Sequence, residues 1–188
     1  DGTHPRKAQQ YLNRVWRKAM RSAKHHGLSC YGLRVVEPHH DACPHWHVLV
    51  FTPPSDAAQL LGTFRSYALA DSPDEPGAAE HRFKVEAIDP AKGSAVGYVA
   101  KYVSKSIDGE GIEADSESDC PGDDAARRIV AWARLWRIRQ FQFFGVPAIT
   151  PTRELYRHDG KGLQGQGLCE AHRAAKANDY AAWLYACE

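Results

Sequence analysis

The hydrophobic positions of this chain recur with two different periods, and these predict an order of helices and strands. A repeat of three to four positions predicts helices over residues 4–26, 55–67, 95–107 and 124–136, and two short helices that open near 150–151 and 178. Alternation at every second position predicts strands over residues 31–37, 44–51, 81–88 and 138–144. Glycines in residues 160–167 indicate a linker. This order predicts an α+β fold, with a central antiparallel sheet covered by helices.

The strand predicted at residues 44–51 has the sequence PHWHVLVF and carries two histidines. Alternate side chains of a strand share a face, so His45 and His47 point the same way and can bind one cation. Leu49 and Phe51 fall on the same face, which predicts a metal site at the end of an apolar surface. The histidine pair alone is a weak signal, because such histidines often only form hydrogen bonds.

A third ligand has to come from another part of the chain. Residues 38–44 predict a hairpin connection from the preceding strand, which ends at Glu37 and would bring its carboxylate beside His45. Two imidazoles and one carboxylate leave coordination positions open for a substrate oxygen, as a catalytic metal site requires. His39 and His40 are competing candidates for the same position.

A second string, GYVAKYVSK at residues 97–105, places two phenols and two amines on one side of a predicted helix. Tyr98, Lys101, Tyr102 and Lys105 occupy positions i, i+3, i+4 and i+7. The opposite side carries the apolar stripe Val96, Val99, Ala100, Val103 and Ile107. Because these apolar residues already supply a core face, the phenols are predicted to form a functional surface.

Tyrosine hydroxyls beside lysines and a divalent metal suit phosphodiester transesterification. A phenol near positive charge can attack phosphorus and keep the product covalently bound. The metal would polarise the scissile phosphate and orient it for attack. Exchange of one phosphoester for another conserves bond energy, so the strands could later be rejoined without a nucleotide cofactor. Two tyrosines would permit two sequential transfers.

Three segments resemble the bacteriophage replication gene A proteins, which are rolling-circle initiators of the HUH endonuclease superfamily with two tyrosines. They are RVVEPHHDACPHWHVLVF at residues 34–51, YVAKYVSK at 98–105 and AWARLWRIRQFQFFGVPAITPTRELYR at 131–157. Histidines that precede the tyrosines are typical of the replication-initiator branch. The resemblance implies the ferredoxin-like or RRM-like HUH fold, in which both strands of the histidine hairpin would be central.

The same resemblance implies roles for individual residues. His45 and His47 would bind Mg²⁺ or Mn²⁺, Tyr98 and Tyr102 would be the nucleophiles, and Lys101 and Lys105 would be auxiliary. Family members nick one strand at an origin, stay attached to the 5′ phosphate and leave a 3′ hydroxyl that primes replication. The implied partners are single-stranded origin DNA and host helicase or replication proteins, and the implied location is the cytoplasm of the bacterial host.

Composition and charge add the remaining expectations. A chain of 188 residues with 43% hydrophobic content is expected to form one compact domain, with no apolar run long enough to span a membrane. A start at Asp1 without a signal-like segment suggests a piece excised from a longer protein. The net charge is only +1, but residues 108–124 hold eight of the 23 acidic residues and no basic one. We expect this acidic stretch to be a mobile loop, and the rest of the chain is strongly basic.

Two other functions fit the same residues. A non-catalytic single-stranded DNA-binding module would use the histidines structurally and the tyrosines for stacking on bases. A metal-dependent hydrolase would activate water instead of a phenol. Of the three functions, only a tyrosine nuclease forms a covalent protein–DNA adduct, so detection of such an adduct distinguishes it.

Overall fold

The structure is a computed structural model that describes residues 4–89, 91, 94, 97–100, 103–104 and 122–187. The chain divides into two compact units, Asp1–Gly145 and Val146–Glu188. The histidine string and Tyr98 belong to the first unit. The prediction of a single domain over residues 1–188 stays a prediction. None of the helices in the described ranges is long and apolar enough to cross a membrane.

The described part of the first unit contains helices and three strands. Its elements are α1 (Pro5–His25), β1 (Tyr31–Pro38), β2 (Pro44–Phe51), α2 (Pro54–Ala68), α3 (Ala78–His81), α4 (Gly122–Trp136) and β3 (Phe141–Phe144). Residues 97–100 and 103–104 are also helical, within the helix predicted at 95–107. The mixed α+β class with a small antiparallel sheet is therefore confirmed.

The three strands form one antiparallel sheet in the order β2-β1-β3. In β1 and β2, Glu37 pairs with His45 and Val35 with His47, so the predicted hairpin register is confirmed. We expected both hairpin strands to be central, and this is wrong for the described sheet. Only β1 is central, because β3 pairs with its other edge and leaves β2 as an edge strand.

The predicted strand at residues 81–88 is also wrong. His81 ends α3, and residues 83–89 have no regular structure. Phe83 packs against the core between α1 and α2, but Val85 and Ile88 are exposed. Arg82 is held by the Glu75 carboxylate and the carbonyl of Asp71. Contacts with distant residues thus override the local alternation, since β propensity depends on a partner surface.

Two apolar clusters hold the first unit together. The cluster between α1 and α2 contains Ala19, Ala23, Leu60 and Phe64. The cluster between β1 and α4 contains Val36, Trp132, Ala133 and Ile138. The apolar stripe of α1 explains why a helix with so many exposed basic residues is stable, because tertiary packing supplies most of a helix's stability.

The second unit consists of three helices: α5 (Ile149–Arg157), α6 (Gln166–Lys176) and α7 (Tyr180–Ala186). Its buried residues are Ala171, Ala174, Ala175 and Trp183. The short helices predicted near 150–151 and 178 are present as α5 and α7, and Asp179 caps α7 by accepting a hydrogen bond from the Ala182 amide at 2.9 Å. Helix α6 was missed, because the glycines before and within its first turn indicated only a linker.

Leu60→Ala should lower the free energy of unfolding by about 2–5 kcal/mol, because it leaves a cavity in the core between α1 and α2. Leu60 is 0% exposed, whereas Leu135 is 74% exposed and provides the matched control. Leu135→Ala should change stability by less than about 0.5 kcal/mol. Urea unfolding of both variants measures the difference, and equal effects would contradict the packing described here.

Candidate metal and nuclease site

The histidine pair lies on one face of the sheet. The His45 and His47 rings are adjacent, with centroids 4.7 Å apart and planes at 72°. Their strand partners Glu37 and Val35 point to the same face, since directly opposite residues of an antiparallel pair share a side. The first two predicted metal ligands are therefore brought together.

The carboxylate of Glu37 reaches the second histidine. Its Oε2 lies 3.6 Å from His47 Nε2, although its strand partner is His45. Glu37 is only 4% exposed, which is rare for a carboxylate unless it has a polar or charged partner. The hairpin argument thus correctly predicted a carboxylate beside the histidines.

The turn that joins the two strands is tightly bonded. The His39 amide donates to the Cys43 carbonyl at 2.7 Å, and the Ala42 amide donates to the His39 carbonyl at 2.8 Å. From α4, the indole of Trp132 donates to the Ala42 carbonyl at 3.1 Å. Ala42 adopts a left-handed φ of 66°, which closes the turn. These bonds fix the register that brings Glu37 and the histidines together.

The competing histidines also lie close to the pair. The His39 ring centroid is 5.7 Å from that of His45 and 4.5 Å from that of His40. Among the residues that the structure describes, however, no three or more His, Cys, Asp or Glu side chains are arranged so that they could hold a metal ion. The metal and its third ligand therefore stay predictions.

Tyr98 lies on the histidine face of the sheet. A small cavity is lined by Leu33, Val35, His47, Leu49, Tyr98 and Val99. Ser94 caps the helical turn that carries the tyrosine, because its hydroxyl accepts a hydrogen bond from the Gly97 amide at 3.0 Å. Tyr98 is 36% exposed. One predicted nucleophile is thus brought to His47, whereas Tyr102, Lys101 and Lys105 lie outside the described residues, as does most of the acidic stretch.

The opposite face of the sheet carries a buried arginine that sequence reasoning missed. Arg34 is 2% exposed, and its guanidinium lies 3.8 Å from the ring centroid of Trp46 and also bonds Gln142. Burial, and secondly the charge of Arg139, lower the pKa of Arg34 to about 10. The indole of Trp46 donates to Gln9 of α1 at 2.8 Å. Helix α1 therefore covers this face and leaves the histidine face for function.

The arrangement defines a small α+β protein with paired histidines, a carboxylate and a tyrosine on one sheet face. The sequence model of the bacteriophage replication gene A protein (GPA) family matches residues 1–110. The chain belongs to that family.

Several curated proteins are similar to the chain over most of its length. The replication protein of Haemophilus phage HP1 is 42% identical over 97% of this chain and 24% of its own length. The replication gene A protein of Escherichia phage P2 is 39% identical over 97% of this chain and 25% of its own length. A probable replication endonuclease from a prophage-like region of Salmonella paratyphi A is 43% identical over 81% of this chain and 19% of its own length.

The chain thus spans about a quarter or less of these relatives. No solved structure matches it.

Trp132→Phe should loosen the turn between β1 and β2, because it removes the bond to the Ala42 carbonyl and keeps most of the packing. We expect a loss of about 1 kcal/mol of stability and faster hydrogen exchange at the Ala42 amide. Trp136→Phe, in the same cluster, is the control and should leave that amide protected. Unchanged exchange in Trp132→Phe would show that the turn does not depend on α4.

Proposed function

We propose that this chain is the nicking domain of a phage replication initiator. It cleaves one strand of origin DNA through a 5′-phosphotyrosine intermediate and leaves a 3′ hydroxyl that primes rolling-circle replication. The observation that carries the proposal is the cavity shared by Tyr98 and His47, on the sheet face where Glu37 approaches His47. The names of the relatives, replication gene A protein and probable replication endonuclease, support the same activity.

The fold proposed for this domain is the ferredoxin-like HUH endonuclease fold of the two-tyrosine type. An antiparallel sheet with the histidine pair on β2 and a tyrosine-bearing helical turn against the same face supports it. Tyr102 would supply the second phenol one helical turn from Tyr98. Lys101 and Lys105 would add positive charge on the same side of that helix.

The metal proposed for the site is Mg²⁺ or Mn²⁺, held by His45 and His47. When bound, such an ion polarises a phosphate oxygen and offsets the negative charge that develops on it. Two imidazoles and one carboxylate are the residue types of an open catalytic site, although the described side chains are not arranged as a set of three ligands. Glu37 has two possible roles, because its Oε2 lies 3.6 Å from His47 Nε2. It is either the third metal ligand or the group that orients His47. If Glu37 only orients His47, His39 or His40 would be the third ligand.

The chemistry assigned to the tyrosine is a single exchange of phosphoesters. The phenol oxygen bonds to phosphorus, and the bond between phosphorus and the 3′ oxygen breaks. The phenol proton is transferred to that 3′ oxygen, which yields a free 3′ hydroxyl and a 5′ phosphate ester on tyrosine. We assign the first transfer to Tyr98 and the second to Tyr102.

The non-catalytic and water-activating alternatives have less support. Histidines that only stabilised the fold would need no phenol beside them, yet Tyr98 and His47 line one cavity. A hydrolase that activates water would release both DNA ends, whereas the tyrosine nuclease keeps one end bound. Denaturing electrophoresis of the reaction therefore separates the three functions.

His45→Ala and His47→Ala should each abolish cleavage of origin DNA in Mn²⁺, while binding of the oligonucleotide without metal is largely retained. Binding persists because phosphate contacts come from the basic residues of the chain. His81→Ala, which removes an 82% exposed imidazole of α3, is the matched control and should still cleave. Glu37→Ala should lower Mn²⁺ affinity by roughly 10- to 100-fold. Cleavage by both histidine variants would refute the metal assignment, and a loss of Mn²⁺ affinity only in His39→Ala or His40→Ala would refute the role of Glu37.

Tyr98→Phe should lose most first-round cleavage, because it removes the attacking hydroxyl and keeps the ring. Tyr102→Phe should cleave but fail to transfer the strand a second time, and the double variant should form no adduct. The measurement is the fraction of protein shifted on a denaturing gel after reaction with a labelled origin oligonucleotide. Equal adduct yields from the parent and Tyr98→Phe would contradict the assigned order.

A further inference from the structure

A row of exposed aromatic rings crosses the sheet at the end away from the histidines. Tyr31 of β1 is 50% exposed, Phe51 of β2 is 36% exposed and Phe143 of β3 is 68% exposed. Each strand contributes one ring, so the row spans the full width of the described sheet. We call Tyr31, Phe51 and Phe143 the aromatic row.

The register places the aromatic row on the same face as the histidines. Tyr31 pairs directly with Phe51, and their rings stack with centroids 5.1 Å apart and planes at 17°. Phe143 pairs with Leu33, one step further along that face of β1. Because side chains alternate along a strand, all three rings share the face of His47 and Tyr98.

The rings of this row are exposed, whereas aromatic rings on the other face of the sheet pack against α1. There Phe144 packs edge-on against Trp16 of α1 with centroids 5.0 Å apart, so the adjacent phenylalanine of β3 is used for the core. The backbone also limits the distance between Phe143 and Tyr31, because the end of β3 lies against the start of β1. A Cβ atom on Gly145 would lie 2.1 Å from the Cys30 carbonyl oxygen and 2.7 Å from Tyr31 Cα, so the end of β3 touches the start of β1.

We propose that the aromatic row is a subsite on which bases of the single-stranded DNA substrate stack, a few nucleotides from the scissile phosphate. This rests on the proposed nuclease function. Phe51 lies four residues from His47 on one strand, roughly 13 Å at about 3.3 Å per residue. Aromatic rings on a sheet are a sequence-tolerant platform for unpaired bases, because every base has a π face.

Charge favours nucleic acid as the occupant over an apolar protein surface. Outside residues 108–124, the sequence contains 24 basic and 15 acidic residues. The last turn of α1, which leads into β1 and Tyr31, carries Lys24 and His25. An excess of basic side chains in the chain, combined with exposed aromatic rings, is typical of proteins that bind single-stranded DNA. The row is also continuous with the face that carries the proposed cleavage site.

The test measures affinity for a labelled oligodeoxythymidylate and for a duplex of the same length, both in EDTA so that no metal-dependent cleavage occurs. Tyr31→Ala, Phe51→Ala and Phe143→Ala should each weaken single-strand binding by about fivefold to a hundredfold. Duplex affinity should stay the same, because paired bases cannot stack on the row. The salt dependence of single-strand binding should also keep its slope, since no phosphate contact is lost.

Two controls separate stacking from folding. Tyr185→Ala removes a ring of the second unit that is 78% exposed and should change neither affinity. Tyr31→Phe keeps the ring and should bind like the parent chain, and Phe143→Leu keeps apolar bulk without a π face and should bind like Phe143→Ala. Thermal unfolding of each variant verifies that the fold is retained.

Unchanged single-strand affinity in folded Phe143→Ala and Phe51→Ala would overturn the proposal and leave the row as a surface for another protein segment. An equal loss of duplex affinity would also overturn it. Adduct formation by the parent chain is measured separately. If the parent forms no adduct while the row variants lose single-strand binding, the nuclease function fails and the stacking subsite stands.

Discussion

The antiparallel register between β1 and β2 is the constraint on which the rest of this structure depends. A slip of one residue would turn every side chain of β2 to the other face of the sheet. His45 and His47 would then point toward α1, away from Glu37 and Tyr98. The register is held by the short turn of residues 38–44 and by the hydrogen bond from Trp132 to Ala42. A buried indole of α4 thus fixes the geometry of the histidine face.

The other side of the sheet shows how that face is kept available. Arg34 is buried against Trp46, and its Nε has no hydrogen-bond partner among the residues that the structure describes. Removing a guanidinium from water is unfavourable, as the lowered pKa of Arg34 indicates, and the contact with an aromatic face offsets part of that cost. Trp16 of α1 packs on Trp46 and Phe144. The aromatic and cationic packing therefore covers one face of the sheet, and the proposed chemistry is assigned to the other.

Sequence periodicity predicted the parts of the fold in which local pattern and packing agree. Helix α1, the hairpin and the closeness of Glu37 to the histidines follow from periods of 3.6 and 2 and from one short turn. The strand expected at residues 81–88 did not form, because Phe83 is used by the core between α1 and α2 while Val85 is left exposed. The sequence pattern does not show which surface a residue will pack against. That packing decides whether a short alternating segment forms a strand.

The candidate site was also predictable only in part, because sequence pattern shows which side chains share a face but not what packs against that face. The spacing of His45 and His47 shows that they share a face, but only the pairing with β1 shows what lies opposite them. The aromatic residues illustrate the limit. Phe143 and Phe144 are neighbours in sequence, yet one is exposed and the other packs on Trp16, because alternate strand faces meet different surroundings. Sequence alone could not add Phe143 to the row of Tyr31 and Phe51, because that depends on the pairing of β3 with β1.

The most direct test of this account is to identify the residue that becomes linked to DNA. The protein is reacted with a labelled origin oligonucleotide in Mn²⁺, digested with protease and analysed by peptide mass spectrometry. The account predicts that the nucleotide is attached to Tyr98, whose helical turn meets the histidine face, or to Tyr102. Attachment to a tyrosine elsewhere, such as Tyr67 or Tyr156, or cleavage without any linked peptide, would contradict it.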